Sequence, residues 1–195
     1  DFFRRLPGQP GRLLDLGCGA GEPFPAFFIA NGWRVTGVDF SSRMLELARR
    51  YQPDMETILA DICDVEFPDH QFDAVTAIYS LFHIEHEKHG TIFQKIFRWM
   101  KTGGKLLFTY ATKDYTGAEV FSGTKEFMGE QLFYSHMSPA ELCTTLESIG
   151  FLIESALNRK IGGETFLWMT AAKPHAPAGD PRSTLPKRHL DFFIK

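Results

Sequence analysis

Short apolar runs and amphipathic stretches alternate along most of this chain. Leu13-Leu14-Asp15-Leu16 is an apolar run that enters Gly17, Gly19 and Gly21, which predicts a buried parallel strand ending in a sharp turn. Pro23 then falls in a first helical turn, Phe24, Phe27, Phe28 and Ile29 supply an apolar face, and Asn31-Gly32 stops the helix. Trp33 to Val38 predicts a second strand. Ser41 or Ser42 caps the next helix, in which Met44, Leu45, Leu47 and Ala48 bury, with Pro53 beyond its end. Met55 to Ala60 and Phe72 to Tyr79 read as the third and fourth strands. Ile92, Phe93, Ile96, Phe97 and Met100 form a helical stripe, and Gly103-Gly104 precedes a fifth strand, Lys105 to Tyr110. Strands that alternate with helices predict an α/β domain with a mostly parallel, doubly wound sheet.

The rhythm breaks between Ala111 and His136, a stretch rich in Gly, Thr and aromatic residues with little sustained periodicity. It reads as an irregular insertion over the ligand face. Order returns at Ser138-Pro139-Ala140-Glu141, a capping box, followed by Leu142, Leu146 and Ile149 on one face and Gly150 at the end. Phe151 to Leu157 and Thr165 to Ala171 then predict two strands. The short link through Gly162-Gly163 suits an antiparallel hairpin, not a crossover. Residues 1–173 thus read as one domain, and 174–195 as a proline-bearing C-terminal tail that either docks locally, where it could supply part of a lid, or remains mobile.

A chain of 195 residues suits one domain, which at this size buries roughly 70% of its unfolded surface. The formal charge of −3 provides no basic face, so nucleic acid is not the expected partner and a small-molecule acceptor fits better. Cys18, Cys63 and Cys143 are far apart and form no C-x-x-C pair, which argues against a disulfide framework or a thiolate metal site and for a cytoplasmic location. No apolar stretch approaches the roughly 18 to 20 residues of a membrane span, so no membrane association is expected.

Three glycines within five residues mark a nucleotide-type site, and their spacing indicates which kind. In the dinucleotide fingerprint G-x-G-x-x-G the third glycine comes one residue later than Gly21 does here, and Glu22 follows directly. An acid beside a pyrophosphate adds repulsion, whereas a cofactor that carries a sulfonium and an ammonium tolerates it.

With these motifs in sequence, the chain resembles the class I S-adenosylmethionine-dependent methyltransferases over roughly residues 5–173. Leu13 to Gly21 is similar to the family's glycine loop, Val38-Asp39-Phe40-Ser41 to its second-strand acidic motif, and Ala60-Asp61-Ile62 to its adenine-side loop. Phe72-Asp73-Ala74-Val75 and Lys101 to Phe108 extend the match, and the hairpin with Phe166-Leu167-Trp168 resembles the strand pair that separates this fold from the dehydrogenases. The resemblance implies a Rossmann-like, seven-stranded sheet ordered 3-2-1-4-5-7-6 with strand 7 antiparallel. It also implies S-adenosyl-L-methionine as cofactor and S-adenosyl-L-homocysteine as product. Gly17 and Gly19 would lie against the methionine and ribose portions, and Asp15 and Gly21 complete that loop. Ala77, at the end of strand 4, would receive the amino group. Asp39 would accept from both ribose hydroxyls, Phe40 and Met44 would cover the adenine, and Asp61 with Ile62 would hold its edge; Met44 is equally placed for core filling.

Methyl transfer from a sulfonium depends mostly on alignment, and a base matters only where the acceptor loses a proton. Tyr79-Ser80-Leu81-Phe82-His83-Ile84 leaves strand 4 at the carboxyl edge, which makes His83 the candidate base and Tyr79 a substrate contact; a packing or capping histidine is the competing reading. Tyr134 and His136 are further acceptor-side candidates, or else loop anchors with the aromatic side in and the polar tip out. His83, His86 and His89 recur every third residue. The outer pair splays apart on a helix, so no metal centre is expected. The Tyr-Ser-Leu-Phe-His and Tyr-Ser-His stretches resemble a small-molecule branch of the family, whose members carry additional N-terminal helices over the site. Those helices would precede Asp1, or the site is unusually open. Two other functions compete: a noncatalytic S-adenosylmethionine-binding module or partner subunit, and a nicotinamide-dependent oxidoreductase, which the early third glycine opposes.

Overall fold

A computed structural model describes residues 2–6 and 10–175, so residues 176–195 of the expected tail lie outside the described part. β1 (Arg12–Leu16) pairs in parallel with β2 (Arg34–Asp39) on one side and with β4 (Phe72–Ala77) on the other. β3 (Glu56–Leu59) extends the sheet beyond β2, and β5 (Met100–Tyr110) extends it beyond β4. The last two strands, β8 (Leu152–Ile161) and β9 (Glu164–Ala172), form a hairpin whose β9 runs antiparallel to β5. The resulting order is β3-β2-β1-β4-β5-β9-β8, which is the expected 3-2-1-4-5-7-6 arrangement once strands outside this sheet are left out of the count. Its central strands are buried on both faces, as their apolar runs require.

Helices cover both faces. α1 (Phe24–Ala30) and α2 (Ser42–Tyr51) bury Phe28, Leu45 and Ala48 with Leu13, Trp33 and Val35. α3 (His86–Trp99) and α5 (Pro139–Ile149) bury Ile92, Phe93, Ile96, Leu142 and Leu146 on the opposite face. Local chemistry sets their ends: the Ser41 hydroxyl accepts the Met44 amide at 3.3 Å, and Ser138 and Glu141 form the reciprocal capping box. Several expectations change. Pro23 is the residue before α1, with Pro25 in its first turn; Met44 stays exposed and fills no core; and Met100 begins β5 instead of ending α3.

The largest difference lies between Ala111 and His136. After a single turn, α4 (Lys113–Thr116), the chain forms a two-stranded hairpin, β6 (Phe121–Phe127) and β7 (Glu130–His136), separate from the main sheet. Met128 and Gly129 both take positive φ, 54° and 86°, which is the conformation of a tight hairpin turn. Met-Gly lacks the Asn or Asp that usually signals such a turn, and β6 alternates half-buried with exposed residues instead of apolar with polar ones. That is why this element reads as irregular in the sequence. The hairpin lies against the 3-10 turn Leu81–His83 that follows β4.

Candidate functional site

Parallel strands deliver their carboxyl ends to one edge of the sheet, and the crevice outside that edge is where open α/β folds bind ligands. β1 ends there in the glycine loop. The amides of Gly17 and Cys18 donate to the Val38 carbonyl at 2.8 and 3.0 Å, which folds the loop back onto β2. Gly17 has φ 79°, and a Cβ on it would stand 2.4 Å from the Ser80 Cβ, so the close passage of β1 under the segment after β4 requires glycine. Ser80 closes this contact by donating to the Leu16 carbonyl at 2.7 Å. Gly19 differs: at φ 53° it has nothing within 4 Å of the Cβ position, so its surface is open to a ligand.

Asp39 ends β2 beside this loop at 8% exposure. Its two carboxylate oxygens accept separately from the Gly19 amide and the Ser41 amide, both at 2.9 Å, so each oxygen retains a free lone pair. Beneath the loop lies Asp15, 4% exposed and bonded by the Thr76 hydroxyl. Burial, opposed by the Thr76 bond and reinforced by Asp39, pushes the Asp15 carboxyl up to about 7. Asp15 therefore acts from under the loop and does not line the crevice. Gly21 is likewise buried, turned toward Gln52 and Met55. Around the opening, Phe40 is 82% exposed, Met44 in the first turn of α2 is exposed as well, and Asp61 is exposed with one oxygen accepting the Cys63 amide at 2.7 Å. Ile62 is buried in the core behind Asp61, and Ala77 is fully buried at the end of β4.

The segment after β4 forms the other half of the site. Tyr79 has φ 56°, a conformation that costs a non-glycine residue about 1 to 3 kcal/mol, and its amide is held by the Thr109 hydroxyl at 2.6 Å. Its ring is exposed to the crevice edge and meets Phe166 and Trp168 edge to face, with centroids 5.3 and 6.0 Å apart. His83 is exposed, and its Nδ1 lies 2.7 Å from the Phe133 carbonyl. A carbonyl only accepts, so in the neutral ring Nδ1 carries the proton and Nε2 keeps the lone pair. Tyr134 is buried against Phe82, with rings stacked at 5.5 Å and its hydroxyl bonded to the Tyr115 hydroxyl at 3.1 Å.

His136 does not reach the site. It is fully buried, bonded to the Thr116 hydroxyl at 2.7 Å and to the Met137 carbonyl at 3.1 Å, and burial lowers its pKa, so it anchors the hairpin. The three histidines of the 83–89 stretch part company: His86 bonds Ser135, and His89 is a core residue bonded to the Tyr110 hydroxyl at 2.6 Å, not part of a solvated helix start. Among the described residues no group of three or more His, Cys, Asp or Glu is placed to hold a metal, and no helix is long and apolar enough to cross a membrane. Sequence reading missed Phe24, Tyr115, Glu164, Phe166 and Trp168 as site residues. The signal for three of them was available: an antiparallel β9 brings its amino end to the carboxyl edge, with Glu164, Phe166 and Trp168 alternating onto one face.

Residues 14–108 match a family model described as a methyltransferase domain. The chain is similar to 27-O-demethylrifamycin SV methyltransferase of Amycolatopsis mediterranei, 37% identical over 108 residues that cover 52% of this chain and 39% of that protein. It therefore spans well under two thirds of that relative's length. Its fold is similar to that of a putative S-adenosylmethionine-dependent methyltransferase from Listeria monocytogenes, with TM-score 0.76 and 21% identity over 89% of this chain and 95% of the other. It is also similar to 1,6-didemethyltoxoflavin-N1-methyltransferase from Burkholderia thailandensis, solved with bound 1,6-didemethyltoxoflavin and S-adenosylhomocysteine, with TM-score 0.68 and 23% identity over 86% and 72% of the two chains. The domain match, the strand order with its antiparallel terminal hairpin, and the glycine loop beside Asp39 agree, and the chain carries a methyltransferase domain with the fold of the class I S-adenosylmethionine-dependent methyltransferases.

Proposed function

We propose that this domain binds S-adenosylmethionine at the glycine loop and methylates a small-molecule acceptor held against the aromatic residues after β4. The observation that carries this reading is the electronegative, open turn formed by Gly19 and Asp39, with Asp15 below it. A cationic ligand fits that charge and a pyrophosphate does not. Asp39 has lone pairs left for the ribose hydroxyls, exposed Phe40 and Met44 offer apolar surface for the adenine, and Asp61 offers a free oxygen to its amino group. Bound there, S-adenosylmethionine supplies a methyl group on a cationic sulfur that leaves as the neutral thioether of S-adenosylhomocysteine. The acceptor's contact with the Tyr79 side of the crevice sets the alignment, which supplies most of the acceleration.

Isothermal titration with S-adenosylmethionine and S-adenosylhomocysteine tests the reading. Saturable heat with both is expected, and none at millimolar ligand overturns it. Tight binding with no transfer across a broad acceptor panel would favour a noncatalytic module instead.

His83 is the group placed to receive a proton, since Phe133 fixes its Nδ1–H and leaves Nε2 free. With an acceptor that must lose a proton, His83→Gln is expected to lower kcat by about 100-fold with KM little changed. An unchanged kcat in a folded variant would show that His83 only anchors the hairpin.

A further inference from the structure

The inner wall of the crevice has a composition that the transfer reaction does not by itself require. Six aromatic residues line or back it. Phe24 at the start of α1 lies 6.2 Å from Trp168, Trp168 meets Tyr79, Tyr79 meets Phe166, and Tyr115 packs on Phe166 at 4.6 Å and on Tyr134 at 5.1 Å. These rings come from α1, the end of β4, α4, β7 and β9, so five separate elements converge on one surface. At the hairpin end of the same face of β9 stands a carboxylate, Glu164. It is partly buried, it raises the hydroxyl pKa of Tyr79, Tyr115 and Tyr134 together with their burial, and among the described residues it has no ion-pair partner. The Trp168 Nε1 is also buried without a hydrogen-bond partner. One cation already uses this wall: the Lys125 ammonium sits 4.4 Å from the centroid of the Tyr115 ring.

Aromatic faces attract cations through the ring quadrupole, and a nearby carboxylate adds a direct Coulomb term. A surface built for a flat neutral or anionic molecule would gain nothing from a carboxylate without an ion-pair partner at its rim, because desolvating that acid costs free energy. We propose that Tyr79, Trp168 and Glu164 form a subsite for an organic ammonium group, backed by the buried Phe166 ring that Phe82 and Tyr115 cover, and that the acceptor is a cationic amine. This rests on the methyltransferase reading. An onium group at this wall could belong to the acceptor or be the sulfonium of the cofactor, and the experiment separates the two.

The probe is tetramethylammonium, with tert-butanol as its uncharged isostere and pivalate as its anionic one. The indole N–H resonances of Trp33, Trp99 and Trp168 are observed in a 15N-labelled protein, and Trp168 is assigned by Trp168→Phe. Tetramethylammonium is expected to shift the Trp168 signal saturably at millimolar concentration and to leave Trp33 and Trp99 unmoved, while both isosteres leave Trp168 unmoved. Glu164→Gln is expected to weaken that response at least fivefold with all other resonances in place. An equal response to tert-butanol, or an undiminished one in Glu164→Gln, overturns the proposal.

Calorimetry on the same proteins identifies the source of the cation. If Glu164→Gln leaves the ratio of S-adenosylmethionine to S-adenosylhomocysteine affinity unchanged, the site belongs to the acceptor. If the variant lowers that ratio, the wall holds the sulfonium and the amine assignment is wrong. Cofactor binding without a tetramethylammonium response would sink the subsite and spare the methyltransferase reading. The reverse would sink that reading, and the acceptor assignment with it, and leave only an ammonium-binding subsite.

Discussion

Asp39→Ala is expected to weaken S-adenosylmethionine binding by more than 100-fold while the domain stays folded. The cofactor would lose two hydrogen bonds to a charged acceptor, each worth about 1.5 to 3 kcal/mol. The loss has a second part. The same carboxylate accepts the amides of Gly19 and Ser41, so its removal also frees the turn that exposes Gly19 and leaves a glycine loop with fewer restraints. Asp39→Asn separates the two parts. An asparagine can still accept one of these amides through its carbonyl oxygen, yet it brings no charge, so an intermediate affinity is expected. Calorimetry gives the affinities and thermal unfolding gives the fold. Wild-type affinity in a folded Asp39→Ala protein would remove Asp39 from the site. The core beneath should survive, because Leu14, Leu16, Val38 and Val75 pack independently of that carboxylate.

The parts of this molecule legible in its sequence are those where local pattern and tertiary context agree. The Leu13–Leu16 run, the three glycines after it and Asp39 at the end of the next strand are set by short-range backbone and burial rules, and they place the donor half of the crevice. The capping box at Ser138 is equally local. The proposed acceptor half is built differently. Phe24, Tyr79, Tyr115, Tyr134, Glu164 and Trp168 belong to elements far apart in the chain, and only the sheet order brings them together. No periodicity within one segment encodes such a meeting. His136 and His89 show the converse, since as polar residues near a site they invite a functional reading, whereas the fold buries both and pairs them with Thr116 and Tyr110. The β6–β7 hairpin was hidden because one face of it leans on the 3-10 turn after β4 instead of on the main core, so its apolar residues are too few to mark a strand.

Asp15→Asn is expected to change how stability depends on pH by about 4 kcal/mol between pH 4 and 7. The Asp15 carboxyl, with an ordinary value of 3.8, is pushed up to about 7 by burial, so the folded state keeps a proton that the unfolded chain has released. Unfolding across this window therefore releases a proton. Stability is full below pH 4, falls by about 1.4 kcal/mol per pH unit as pH rises, and levels off above about 7. His89 works in the opposite direction. Burial lowers its pKa from 6.5 to about 4, so the unfolded chain binds a proton that the folded state does not, and stability is lost as pH falls below 6.5 toward 4. The two contributions largely cancel, and the wild-type profile between pH 4 and 7 should be shallow. Removing the Asp15 charge uncovers the His89 slope, and denaturant unfolding of Asp15→Asn should show stability that rises with pH across the same window. Parallel profiles for the two proteins would place the Asp15 carboxyl near its ordinary value. At pH 8 the variant should be the more stable protein, by less than the full 4 kcal/mol, because a buried amide NH2 without a partner costs about 1 to 3 kcal/mol. Its affinity for S-adenosylmethionine should fall at the same time, since one of the two negative charges that make the glycine loop attractive to a cation is gone. A gain in stability with no loss of affinity would make Asp15 a packing residue; loss of affinity beside a gain in stability would mark it as a charge held under the loop, at a cost to the fold, for the sake of binding.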